Sequence, residues 1–148
     1  MPAMLHNPSV REALRARVAS LNPASTRQWG KMSVDQMLWH VNQTMAYSLG
    51  DMTAAPMKTP LPAPIMKLLV LNMPWPKGAP TVPELIAGER YSFDTERARC
   101  LELIDRFTAR KLDDASWGIS PSLGALTGKE WSRLNAKHLN HHLTQFSA

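Results

Sequence analysis

One cysteine, Cys100, stands alone among 148 residues, and a lone cysteine excludes an intramolecular disulfide. It lies among the apolar positions of a helical pattern, so a buried, inert thiol is expected rather than a nucleophile. No apolar run is long enough to cross a bilayer. The most apolar stretch, residues 61–75, is broken by Lys67, Asn72, Pro62, Pro64 and Pro74. The opening Met-Pro-Ala-Met-Leu-His-Asn-Pro-Ser has neither the charged start nor the apolar core of a signal peptide, so a cytoplasmic location is expected. Although the net charge is +5, there is no Lys/Arg block and no alternation of basic and aromatic residues. Acidic residues interleave with most of the basic ones, which argues for a solvated basic surface and against a nucleic-acid partner. Also missing are a glycine-rich phosphate loop, a Gly-x-Ser-x-Gly elbow around Ser122, and any Glu-x-x-His pair of the di-iron carboxylate kind.

What is present is one globular domain over residues 1–148, with 44% hydrophobic and 20% charged residues. Asn7-Pro8 starts a first helix by a capping side chain and a proline at the first helical position. Val10, Leu14, Val18 and Leu21 recur along it, and Asn22-Pro23 ends it. Ser33-Val-Asp-Gln36 is a capping box that opens a second helix, closed at Gly50. Its apolar stripe is Val34, Met37, Leu38, Val41, Met45 and Leu49. Eight of the twelve prolines fall between Asp51 and Ser92. That segment reads as a proline-stiffened crossover around a short helix at Ala63–Leu71, with Leu61, Trp75, Val82 and Leu85 in need of burial. Asp94 is expected to cap a further long helix from Thr95 to about Lys111, with Cys100, Leu103, Ile104 and Phe107 on one face. Thr127-Gly-Lys-Glu130 is a second capping box and starts the last helix, which runs to Phe146. No strand pattern of comparable strength appears. The chain therefore reads as all-α, a four-helix bundle whose second and third long helices run parallel across the long connection.

Three of five histidines crowd the last helix. His138 and His142, four residues apart, share a face and lie within its apolar stripe of Trp131, Leu139, Leu143 and Phe146. Two buried imidazoles side by side require either polar core partners or a shared metal. His141 points away and is expected to be exposed. His40 sits at the edge of the second helix's stripe, a boundary position that is compatible with facing a neighbouring helix. His6 lies in an N-terminal segment expected to be flexible and has no role. The stretch Pro74-Trp-Pro-Lys-Gly-Ala-Pro-Thr81 has two readings, a pocket wall with Lys77 as an anion handle or a rigid loop packing Trp75.

Taken together, Trp29-Gly-Lys-Met-Ser-Val-Asp-Gln-Met-Leu-Trp-His40, Pro76-Lys-Gly-Ala-Pro-Thr81 and Lys137-His-Leu-Asn-His-His-Leu-Thr-Gln-Phe146 resemble the DinB/YfiT-like metalloprotein superfamily, and within it the uncharacterised DUF1569 branch. The resemblance spans about residues 28–147. It implies an up-down-down-up bundle and a divalent metal, zinc or nickel, held by His40, His138 and His142. Understood members of that superfamily include thiol S-transferases that use low-molecular-weight thiols, and others act in thiol-dependent isomerisation. The resemblance thus implies a small-molecule substrate, a thiol co-substrate and a homodimer, while no residue here matches a thiol-binding motif. Three histidines leave a coordination position open, the pattern of catalytic zinc. Such a site offers thiolate or hydroxide, hence an S-transferase or a hydrolase. A non-catalytic metal- or ligand-binding bundle is the reading from another class.

Overall fold

The computed structural model describes residues 2–78 and 85–148, and its elements are mostly helical. The helices are α1 (Pro8–Ser20), α2 (Val34–Leu49), α3 (Ala63–Asn72), α4 (Phe93–Ala109) and α5 (Gly128–Gln145). Between α4 and α5 sit two two-residue strands, β1 (Ile119–Ser120) and β2 (Gly124–Ala125), paired antiparallel. This small hairpin is too short to leave a period-two pattern, which is why the sequence does not announce it. The expectation for Val82, and the 79–81 end of the second motif, fall outside the described residues.

The caps explain most boundaries. Asn7 Oδ1 accepts from the Ser9 amide at 3.0 Å, with Pro8 at the first helical position. Gln36 Oε1 reaches back to the Ser33 amide at 3.0 Å, and Gly50 closes α2 at φ +79. At α5 both halves of the box are made: Thr127 Oγ1 accepts from the Glu130 amide and Glu130 Oε1 from the Thr127 amide. α4 departs from expectation at both ends. Ser92 rather than Asp94 is its cap, its hydroxyl accepting from the Thr95 amide at 3.3 Å. Asp94 falls in the first turn, where a carboxylate still complements the helix dipole. The helix stops at Ala109, short of Lys111.

α1 packs on α4 and α5, and α2 packs on the same two helices. Leu14, Val18, Met37, Leu38, Val41, Met45, Cys100, Ile104, Phe107, Trp131, Leu139 and Leu143 fill the space among them. Each large aliphatic side chain so buried contributes about 1.5–3 kcal/mol. The paired contacts between helices run as follows. Leu5 donates to the Ser132 carbonyl, and Arg17 reaches Asn140 and Thr144. Asn42 donates to Glu96, and Arg106 bridges to Asp51. Asn135 donates to Ser48, while His138 meets His40.

α2 is the buried member: 14 of its 16 residues are buried, so it has almost no solvent face. Cys100 is fully buried, and desolvation with the nearby Glu96 charge pushes its thiol up to about 12, as an inert thiol requires. Two expectations fail. Leu61 is 40% exposed, and with Ile65, Leu68 and Met73 it forms an open apolar face along α3. His6, expected to have no role, is bound on both nitrogens. Nδ1 lies 2.9 Å from Ser132 Oγ and Nε2 2.7 Å from the Arg110 carbonyl, with the ring edge-on to Phe107 and Trp117. Leu5 beside it is completely buried, so the N-terminal segment is packed into the fold.

Candidate metal centre

His40 comes from the middle of α2, and His138 and His142 come from successive turns of α5. Because α2 and α5 pack face to face, the three rings converge, with centroids 4.7–4.8 Å apart. One nitrogen of each lies within 4.8 Å of the others. The expected triad is therefore brought together. The edge position expected of His40 is not observed: the ring is only 4% exposed. Helical-wheel arithmetic misplaces it because α2 is enclosed by α4, α5, the hairpin and the chain after residue 85, leaving no polar side for comparison.

The hydrogen bonds of the outer nitrogens decide which atoms face inward. His40 Nδ1 lies 2.7 Å from the Leu85 carbonyl and must donate to it. His142 Nδ1 donates to Gln145 Oε1 at 2.8 Å, and Gln145 Nε2 is itself held by the Trp29 carbonyl at 2.9 Å. Each bond fixes a tautomer whose Nε2 carries a lone pair, the usual outer-shell arrangement of metal-ligating histidines. His138 Nε2 stands 2.9 Å from His40 Nε2. Since the latter can only accept, His138 donates in this arrangement. It would present the same nitrogen to an ion after moving its proton to Nδ1.

Charge and spacing agree with that donor set. Burial lowers the pKa of His40. Burial and the neighbouring imidazoles hold His138 well below the ordinary histidine value, and burial with His40 brings His142 down to about 3. All three are neutral at pH 7, as metal ligands must be. Nitrogens on a tetrahedral zinc with bonds of about 2.0–2.1 Å stand about 3.3 Å apart. That value lies between the 2.9 Å His40–His138 separation and the 4.8 Å outer limit.

Around the triad is a half-exposed aromatic shell. His141 is not free in solvent as expected. It lies edge-on to Trp29, Trp75 and His142, at 5.6, 5.4 and 5.1 Å between centroids. Burial and the Lys137 charge lower its pKa. Trp75 also meets His138 at 5.8 Å. Its indole N–H donates to the Val70 carbonyl, so this loop both packs a tryptophan and walls the site. Lys77 Nζ sits 5.0 Å over the Trp29 ring, and Lys137 Nζ 5.1 Å over Trp75. A surface cavity of about 400 Å³ lies elsewhere, between residues 56–63 and the hairpin, and includes Ser122 but none of the histidines.

Three participants went unread in the sequence: Leu85, Gln145 and Trp29. Gln145 was open to discovery, since it follows His142 by three residues on the same face. The Leu85 and Trp29 contributions are backbone carbonyls, to which side-chain identity gives no clue. Comparisons with curated proteins and with solved structures find no match to the chain. A family described as a protein of unknown function, DUF1569, matches residues 2–148. By that match over nearly its whole length, the chain belongs to the DUF1569 family.

Proposed function

We propose that this chain is a divalent-metal-dependent enzyme of DinB-like, up-down-down-up design, with His40, His138 and His142 as ligands and thiol-dependent S-transfer to a small molecule as its chemistry. The observation that carries the reading is the inward convergence of three neutral imidazoles, two with Nδ1 bonded to fixed acceptors. Imidazole donors suit zinc or nickel. The bundle reading is supported by the order of contacts. Leu5–Ser132 and Arg17–Asn140 rise together along α1 and α5, as do Asn42–Glu96 and Asp51–Arg106 along α2 and α4. Ser48–Asn135 and His40–His138 run in opposite senses.

When bound, the metal supplies a Lewis acid that keeps a thiol in its thiolate form at neutral pH. The chain's own residues do the rest. The Leu85 carbonyl and Gln145 orient two rings, and Trp75 and His141 restrict water. The Lys137 charge, which acts on His141 beside the triad, is positive and favours an anionic ligand. The test is product analysis with metal-loaded, tag-free protein, an electrophile and a low-molecular-weight thiol. A thioether formed only with thiol and lost in His40→Ala is the expected result. A thiol-independent water adduct would replace this reading with a metal-dependent hydrolase, and metal uptake without turnover would leave a non-catalytic bundle.

A further inference from the structure

Two lysines lie over two tryptophans at the rim of the triad, and they are not equivalent. Lys137 Nζ, above Trp75, donates to the Val70 and Met73 carbonyls and thereby ties α5 to the end of α3. Lys77 Nζ, above Trp29, has the indole face as its one partner among the described residues, and its side chain is exposed. Lys67, on α3, is paired with Glu130 of α5. Lys77 therefore keeps its three N–H donors for a ligand while its stem and charge are steered by Trp29. The rings beside it, Trp29, Trp75 and His141, are half-exposed, and two of them, Trp75 and His141, touch the buried histidines directly. An anion entering here meets a positive field, an aromatic wall, and then the triad.

We propose that Trp29, Trp75, His141 and Lys77 form the binding subsite for a small organic carboxylate, with Lys77 holding the carboxylate and the two indoles flanking its carbon body. A single ammonium, the one cation over the Trp29 ring among the described residues, matches a monoanionic carboxylate better than a phosphate, which calls for bidentate or multiple donors. The subsite deepens the metal-enzyme reading by giving its substrate a charge and a shape. It rests on that reading only for what happens next to the carboxylate, because none of its four side chains is among the proposed metal ligands.

The experiment titrates the full, tag-free chain with phenylacetate and with its uncharged counterpart phenylacetamide, reading tryptophan fluorescence and heat. It is run on chelator-treated protein and on zinc-loaded protein, with zinc content measured separately. Wild type is expected to prefer the acid by about ten-fold in the metal-free sample, the size of one charge-assisted contact. Lys77→Gln should bring the two ligands within about two-fold of each other, while Lys58→Gln, at another exposed lysine, keeps the preference. Trp29→Leu should weaken acid and amide together. Equal binding of acid and amide, no binding of either, or a preference that survives Lys77→Gln overturns the subsite. A failure to take up zinc counts against the metal reading alone, since the metal-free titration still decides the role of Lys77.

Discussion

At the residue scale, the proposed metal site would depend on side chains that are not themselves ligands. Gln145 holds His142 with its proton on Nδ1 and its lone pair on Nε2, and is itself anchored by the Trp29 carbonyl. Gln145→Met keeps the volume and removes the acceptor, and zinc affinity in a chelator-competition assay is expected to fall about 10–100-fold with the fold retained. Gly30 guards the same contact from outside. Its φ is +80, and a Cβ there would stand 2.6 Å from Gln145 Nε2. Gly30→Ala should therefore cost about 1–3 kcal/mol in urea unfolding, for the left-handed backbone, and also weaken zinc binding. A stability loss with unchanged affinity would show that Gln145 is not what positions His142. His138 and His142 stood out because two imidazoles at i and i+4 fall on an apolar face, whereas His40 joined them only through the family resemblance. The glycine was not, because its role lies in a neighbour 115 positions away that only the fold brings near.

At the element scale, α2 carries the argument. Its buried surroundings include the segment after residue 85, which is strapped to it by several bonds. Arg90 and the Tyr91 amide bind Asp35, Gln36 Nε2 donates to the Glu89 carbonyl, and Tyr91 stacks on Trp39 at 5.1 Å. This strap presents the Leu85 carbonyl to His40. Burial alone would raise the Asp35 carboxyl, but the Arg90 guanidinium and the Tyr91 N–H outweigh it and hold the group well below the usual carboxylate range. A carboxyl depressed in the folded state binds fewer protons than in the unfolded one. Its contribution is complete above the unfolded value of about 3.9 and is lost as pH falls below it. Asp35→Asn is accordingly expected to cost about 1–3 kcal/mol at pH 7, with the gap to wild type narrowing below about pH 4. The same variant should lower zinc affinity, because a loosened strap releases the Leu85 carbonyl. The capping boxes made α2 and α5 readable in the sequence. The strap was hidden because its partners lie 45 to 56 residues apart and half of its hydrogen bonds use a backbone group on one side.

For the whole molecule, the long helices and their core followed from periodicity and caps, whereas the open apolar face of α3 and the packed N-terminal segment did not. Leu61 has the composition of a core residue and is exposed; His6 looked incidental and bridges α5 and the end of α4. Both depend on which surfaces the crossover covers, a question of tertiary packing that local pattern does not answer. The triad joins α2 to α5, so occupancy should stabilise the entire fold. At zinc a hundredfold above its dissociation constant the gain is about 2.7 kcal/mol, or roughly 5–10 °C in Tm for a chain of this size. His142→Ala should abolish that shift. The most direct measurement is the metal content of tag-free protein, wild type beside His40→Ala, His138→Ala and His142→Ala. The account predicts about one zinc or nickel ion per wild-type chain and at least about a hundredfold weaker binding in each variant, since each removes a ligand. Wild-type protein that takes up no divalent metal, or a His40→Ala variant that binds as tightly as wild type, would contradict it.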